Sequence, residues 1–404
     1  MGALFRMSSK VNKLPCSQSM KFSSGWRLYC CKIGAKLTQH ETSSTKNRAT
    51  LSYSWNVNLK RFNLGSHGTQ GELALIEEIR ARSNRASRTG LRLGIGDDCA
   101  LLATRKGEEI AVTTDLSIAG RHFRLDWHQP EAVGHLALAR GLSDLAAMGA
   151  RPLAAFLSLG LPRELTIAAA GRAGASSWVQ RFLDGLFSLA ESHKTPLAGG
   201  DLAESPLALA DIVLVGAVPR DRALLRSGAR DGDLLYVTGA LGGAAAGLAR
   251  LAELASTASL KPPRIPKRLA AQLAPHLFPE PRIAQGLWLQ RRGLASAALD
   301  ISDGLSTDLA HLCTESCVAA EVDAALLPIH PAATLEEALH GGEDYELLFT
   351  APPTARLPRV IAGVPITRIG RIIKQRKGQP AVTLITLQGS QPLEPRGWEH
   401  FHAI

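Results

Sequence analysis

Three things are scarce in this 404-residue chain, and each scarcity closes off a class of protein. Cysteine comes first: of six, only Cys99, Cys313 and Cys317 fall beyond the first 67 residues, too few for a disulfide framework and without the histidine spacing of a zinc site. A reducing cytoplasm is therefore the expected location. Long apolar runs come second. None reaches the roughly 20 residues of a membrane-spanning helix, and no clear secretory signal is visible, so no membrane partner is expected. The third is the lysine-bearing phosphate loop: G-x-x-x-x-G-K-S/T does not occur, and the nearest stretch, "GALGGAAAGLA" from Gly239, lacks the lysine. Its small residues are read as allowing close helix packing. With 45% hydrophobic and 20% charged residues, the composition is that of an ordinary globular protein, long enough for two or more domains.

Acidic residues are nearly missing from one place. Through His67 the chain carries eleven Lys/Arg and one acid, Glu41; the remainder carries 35 of each sign, so the whole net charge of +10 belongs to this segment. It is rich in Ser, Lys, Asn and Thr and shows no sustained period of 2 or 3.6, so residues 1–67 are read as a basic, disordered or added extension. Three readings of it stay open: a basic tail for nucleic acid or membrane, an organellar targeting segment whose composition alone fits, and upstream sequence included by a mis-set start. No Met lies between Met20 and Met148, so a later start needs a non-Met codon. A nucleic-acid partner rests on this charge alone and is not expected.

Beyond it, helix and strand patterns alternate. "GELALIEEIRAR" has helical spacing, and "EEIAVTTDLSI" predicts a strand ending at Thr113, Thr114 and Asp115. "EAVGHLALARGLSDLAAMGA" predicts a helix with Gly149 as its C-cap. "RPLAAFLSLGLP" and "ADIVLVGAVP" read as strands flanking the amphipathic helix "SSWVQRFLDGLFSLAES". A boundary is expected near Pro219, dividing residues 68–219 from 220–404, because "DGDLLYVTGALGGAAAGLARL" restarts the pattern. "LASTASLKPPRIPKR" reads as a surface linker. "ASAALDISDGLSTDLAHLC" then repeats a strand, acidic turn and helix, and "HGGEDYELLFTAPP" leads a Gly/Asp turn into a strand.

Acids accumulate at these strand ends and helix faces: Asp97, Asp98, Asp115, Asp144, Asp201, Asp300, Asp303 and Glu343. Each alone has an ordinary explanation as a cap or turn residue. Together, most abut Gly or Ser/Thr directly after apolar runs, and carboxylates gathered without counterions raise one another's pKa. Such a set calls for a cation. Oxygen-only ligands point to a hard one such as magnesium, whose remaining ligands are commonly phosphates.

"GIGDDCALL", "TTDLSIAGRHF", "LSDLAAMGARP", "AGGD", "RSGARDGDLLYVTG", "LDISDGLSTDL", "GGEDYELLFT" and the terminal "GWEHF" together closely resemble the thiamine-monophosphate kinase family, in order, from about Gly71 to Phe401. The resemblance implies an α/β, two-domain aminoimidazole-ribonucleotide synthetase-like fold and a homodimer formed through the N-terminal domain. It implies transfer of the ATP γ-phosphoryl group to the phosphate of thiamine monophosphate, with several Mg2+ ions offsetting the repulsion between two anionic phosphates. Carried residue by residue, it places metal ligands at Asp98, Thr113, Thr114, Asp115, Asp144, Asp201, Asp300 and Asp303. It places ATP contacts at Gly200, Arg226 and Ser302, and substrate contacts at His122, Glu343 and Trp398. The chain departs from the family pattern at Leu202 and Ala203, where hydroxyl residues are usual, and at Gly141, where Asn is usual.

Related activities fit less well. The chain ends in His402, Ala403 and Ile404 without the terminal cysteine of hydrogenase-maturation proteins. Cys99 precedes an apolar run and is expected to be buried, unlike the reactive residue of selenophosphate synthetases. The alternative is a nucleotide-binding homologue of the same fold that has lost turnover, a reading that Leu202 and Ala203 keep open.

Overall fold

The structure, a computed structural model, describes residues 72–83, 90–96, 99–168, 176–256 and 261–398. The basic extension, Asp97 and Asp98, and the last six residues lie outside the described residues.

A helix α1 (Glu72–Ser83) and a short hairpin, β1 (Leu91–Leu93) with β2 (Leu101–Leu102), precede the first sheet. That sheet is built from β3 (Glu108–Ile118), β4 (Arg151–Leu161), β5 (Leu197–Glu204) and β6 (Leu209–Pro219), in the order β3-β6-β4-β5. Two helices pack on it: α2 (Pro130–Ala147) and α3 (Trp178–Ser192). The start of α3 is fixed by a capping box, in which the Ser177 hydroxyl accepts from Gln180 N–H while the Gln180 side chain accepts from Ser177 N–H.

The second sheet draws its strands from residues 234–392. It contains β7 (Leu234–Thr238), β8 (Ala297–Asp300), β9 (Val318–Asp323), β10 (Leu347–Ala351), β11 (Val360–Ile361), β12 (Val364–Lys374), β13 (Val382–Thr386) and β14 (Gly389–Pro392). The order is β14-β13-β9-β12-β7-β10-β8, with β11 paired to β12. Around it lie α4 (Gly243–Ser256), α5 (Ala270–Leu277), α6 (Ile283–Arg292), α7 (Leu305–Ser316) and α8 (Leu335–His340).

The helix α2 is the hub. Leu138, Leu142 and Leu145 are fully buried with Ile212 and Leu214 of the first sheet and Phe182 of α3, while its other faces meet α5, α6 and β8. A helix enclosed on every side loses the one-sided apolar stripe of a surface helix. The few polar residues it carries, Glu131, His135, Arg140, Ser143 and Asp144, must therefore find partners inside the molecule.

Two expectations are corrected. The strand expected to end at Asp115 continues to Ile118, because Asp115, Leu116, Ser117 and Ile118 all keep antiparallel partners on β6. Cys99 is exposed, since the apolar residues after it form only the two-residue β2 of a surface hairpin. The small-residue reading of "GALGGAAAGLA" is matched by geometry: a Cβ on Gly247 of α4 would lie 2.9 Å from the Cβ of His276, so the glycine admits α5 close against α4.

Candidate functional site

A cleft of about 790 Å³ opens where α2, the end of β3, the start of α4 and the loops around Ser302 and Glu343 meet. Thr114, Asp115, His122, Asp144, Asp300, Ser302, Asp303, Glu343 and Trp398, scattered over more than 280 positions of sequence, all line it.

Local structure delivers each of them. Asp115 and Asp144 come from neighbouring elements, and the Thr113 hydroxyl donates to Asp144, so Thr113 braces the wall from behind. Asp300 is the last residue of β8 and accepts from the Ser143 hydroxyl at 2.6 Å. Ser302 and Asp303 sit in a turn held by Asp308, whose Oδ2 accepts the backbone N–H groups of Ser302, Asp303 and Gly304, each at 3.0 Å. His122 accepts at Nδ1 from the Ile118 N–H at 3.0 Å, which leaves Nε2 as its donor. The C-terminal segment is pinned across the start of α7: Gly397 N–H donates to the Thr307 hydroxyl at 3.0 Å and Trp398 N–H to the Asp303 carbonyl at 3.2 Å. A Cβ on Gly397 would lie 1.9 Å from that carbonyl, so only glycine lets the chain pass and bring Trp398 to the cleft.

Burial drives the Asp115 carboxyl up to about 7, with the nearby Asp144 adding to the rise and Arg140 opposing it. Burial likewise raises Asp144 and Asp300, which repel each other. The Oδ2 of Asp115 is buried without a hydrogen-bond partner. Such a set is poorly suited to standing charged by itself and well suited to a hard cation. Among the described residues no three carboxylates, imidazoles or thiols are yet gathered as a complete metal site. Magnesium is commonly held by one or two carboxylates, with water and substrate phosphates completing its coordination.

Glu343 behaves oppositely. Burial would raise its pKa, but His276 and Arg140 beside it hold it down at about 2, so the cleft has a firmly ionised carboxylate apart from the protonation-prone cluster. It sits at φ +66°, an uncommon conformation for a residue with a side chain.

Three expected residues stand apart. Asp201 is exposed on β5, with its Oδ1 accepting the Leu202 N–H at 2.9 Å, and it does not line the cleft. Gly200 beside it has φ +151° and a Cβ there would lie 1.9 Å from the Leu157 carbonyl, so strand packing alone demands glycine. Arg226 is exposed outside the lining, yet its charge lowers the pKa values of Asp144 and Asp300. Asp98 lies outside the described residues.

The cleft also contains residues that sequence reasoning missed: Arg140, Tyr345, Trp127, His128 and His276. Arg140 had a signal, being the only arginine in a helix that is mostly apolar. The absence of a lysine phosphate loop also has a structural counterpart. The start of α4 is taken by Asp344, which accepts Gly242 N–H at 2.6 Å and Ala244 N–H at 3.1 Å.

These features define a class before they define a member. Residues 96–218 match the N-terminal domain of AIR synthase related proteins and residues 230–383 match their C-terminal domain. Among curated proteins the chain is similar to thiamine-monophosphate kinase of Escherichia coli (strain K12), 40% identical over 346 residues that cover 82% of this chain and 98% of the relative. That of Bacillus subtilis (strain 168) is 32% identical, with 82% and 99% covered. A solved thiamine-monophosphate kinase from Stenotrophomonas maltophilia K279a superposes with a TM-score of 0.65 at 37% identity, covering 79% of this chain and 98% of that one. A structure of AaThiL complexed with AMPPCP and TMP gives a TM-score of 0.62 at 30% identity, covering 85% and 100%. The chain belongs to the thiamine-monophosphate kinase family.

Proposed function

We propose that this protein transfers the γ-phosphoryl group of ATP to the phosphate of thiamine monophosphate, giving thiamine diphosphate and ADP. The observation that carries this reading is the make-up of the cleft: Asp115, Asp144, Asp300 and Asp303 gather carboxylates, while ionised Glu343 and the half-exposed Trp398 offer contacts for a cationic organic molecule.

In this reading Asp115, Asp144, Asp300 and Asp303, with Asp98, Asp201, Thr113 and Thr114, hold Mg2+. Bound there, magnesium would neutralise the phosphate oxygens that otherwise repel one another. The polypeptide's own work is positioning. Arg226, Ser302 and Gly200 receive the nucleotide, the Nε2–H of His122 faces the acceptor molecule, and Glu343 and Trp398 hold its rings. Phosphoryl transfer needs little more than this, because its transition state asks for alignment and charge neutralisation.

The reading carries a division into two domains near Pro219, a homodimer and a cytoplasmic location. The open edge strand β3 exposes Ile110, Val112 and Leu116, which supports a second copy covering this apolar row. Three unpaired cysteines, Cys99, Cys313 and Cys317, suit a reducing compartment. Among the described residues no helix is long and apolar enough to cross a membrane.

Incubating the purified chain with Mg2+, ATP and thiamine monophosphate, then separating the products, tests the activity directly. Equimolar thiamine diphosphate and ADP are expected. ATP binding without thiamine diphosphate would overturn the reading.

A further inference from the structure

Glu343 is gripped from two sides by elements far apart in the chain. Arg140 of α2 donates from Nη2 to Oε1 at 2.5 Å, and His276 of α5 places Nδ1 3.5 Å from Oε2. His276 is 1% exposed, its Nδ1 has no hydrogen-bond partner, and its Nε2 lies 3.0 Å from Nε2 of the equally buried His128. Burial and the nearby His276 hold His128 down at about 4, so it is neutral over the working pH range.

The proton positions along this line follow from its two ends. The Arg124 N–H donates to His128 Nδ1 at 3.1 Å, which puts the His128 proton on Nε2 and makes it the donor to His276 Nε2. The His276 proton is then on Nδ1, directed at the Glu343 carboxylate. His128 Nδ1 also lies 3.2 Å from the Arg124 carbonyl. The tautomer donating there would turn a bare His276 Nδ1 lone pair toward an anion, so the carboxylate selects the first arrangement.

We propose that His128 and His276 are positioning residues that, opposite Arg140, fix the Glu343 carboxylate as an acceptor for the amino-bearing heterocycle of the substrate. The inference rests on the activity proposed above and extends it to how the cleft recognises the ring. With Oε1 bonded to Arg140 and Oε2 facing the Nδ1 of His276, the carboxylate is held in one orientation and its remaining lone pairs have a set direction. The 3.5 Å gap is longer than a formed hydrogen bond, and such contacts commonly close when substrate arrives. A ring carrying a carbonyl in place of the amino group would set oxygen against oxygen, so the same device discriminates between the two.

The test is steady-state kinetics on the full chain, varying thiamine monophosphate and ATP in turn. His276→Leu, close in size but without a donor, is expected to raise KM for thiamine monophosphate about tenfold, the loss of one hydrogen bond to a charged group, with KM for ATP changed less than about twofold. His276→Asn keeps an N–H near the Nδ1 position and is expected to recover most of that loss. In a Glu343→Gln background the same His276→Leu change is expected to add little. His128→Leu, acting one bond further away, covers the case in which His276→Leu does not fold, and is expected to raise the same KM by about three- to fivefold. Equal rises in both KM values, full additivity with Glu343→Gln, or no recovery in His276→Asn would overturn the proposal. If the parent turns over thiamine monophosphate and Glu343→Gln leaves its KM unchanged, the positioning role falls while the activity stands. A parent without turnover removes both.

Discussion

Ser143 on α2 donates its hydroxyl to the carboxylate of Asp300 at the end of β8, at 2.6 Å and out of contact with water. Two segments 157 residues apart are thereby joined at the floor of the cleft. Ser143→Ala leaves a buried carboxylate short of a donor, which costs about 1–3 kcal/mol. The expected outcome is a lower urea midpoint with an unchanged denaturant slope, measured without ligands. An unaltered midpoint would show that Asp300 is satisfied by other means.

Asp115→Asn keeps the shape of the side chain and removes its charge. Turnover is expected to fall by orders of magnitude if this residue holds magnesium. Because burial already raises its pKa to about 7, the parent's folded state resists ionisation here, and the metal-free variant should melt no lower than the parent at pH 8. Near-parental turnover with a normal melting curve would remove Asp115 from the site.

Trp398 is half exposed, so replacing it with Ala should cost little stability. If its ring covers a partly desolvated cation, affinity for thiamine monophosphate drops by roughly five- to thirtyfold, or about 1–2 kcal/mol, while ATP binding holds. Calorimetric titration with each ligand separates this from a purely anchoring role, in which both ligands weaken together and the melting temperature falls.

Burial also pushes Asp344, at the start of α4, up to about 7, against the pull of the backbone N–H groups it accepts. Between the unfolded value near 4 and about 7 the folded chain holds one more proton here than the unfolded chain. Stability from this group is thus complete at acid pH and is lost as pH rises toward 7. Asp344→Asn should be the less stable protein at pH 5, with its deficit shrinking by about 1.4 kcal/mol per pH unit up to pH 7. Urea titrations at pH 5, 6 and 7 measure this; a constant deficit would contradict it.

The sequence carried the elements well where periodicity had one cause. The helix containing Phe182 and the strands "RPLAAFLSLGLP" and "ADIVLVGAVP" appear where their patterns put them. The end of β3 was misjudged because Thr113, Thr114 and Asp115 look like a turn, while the partner residues on β6 that keep the strand going lie some hundred positions away. Asp115, Asp144 and Asp303 were legible because each borders Gly, Ser or Thr close behind an apolar run. His128 and His276 were not: a lone histidine, in the loop before α2 or in α5, carries no mark of its partner 148 residues off. Nor could sequence reveal that Asp201 and Arg226 stand outside the cleft lining.

Arg140, Ser143 and Asp144 occupy little more than one turn of α2, and at 1.5 Å per residue the span from first to last is about 6 Å along the axis. The helix is therefore a gauge. One end of its scale touches Glu343 and the other touches the acidic cluster, and the helix between them is packed against both sheets and against α3, α5 and α6. Under the activity proposed above, a substrate reaching both ends would have its ring and its anionic group separated by a matching length. Inserting a single residue between Arg140 and Ser143 would turn one mark about 100° away from the other. Under the activity proposed above, selection by length would follow from a single helix.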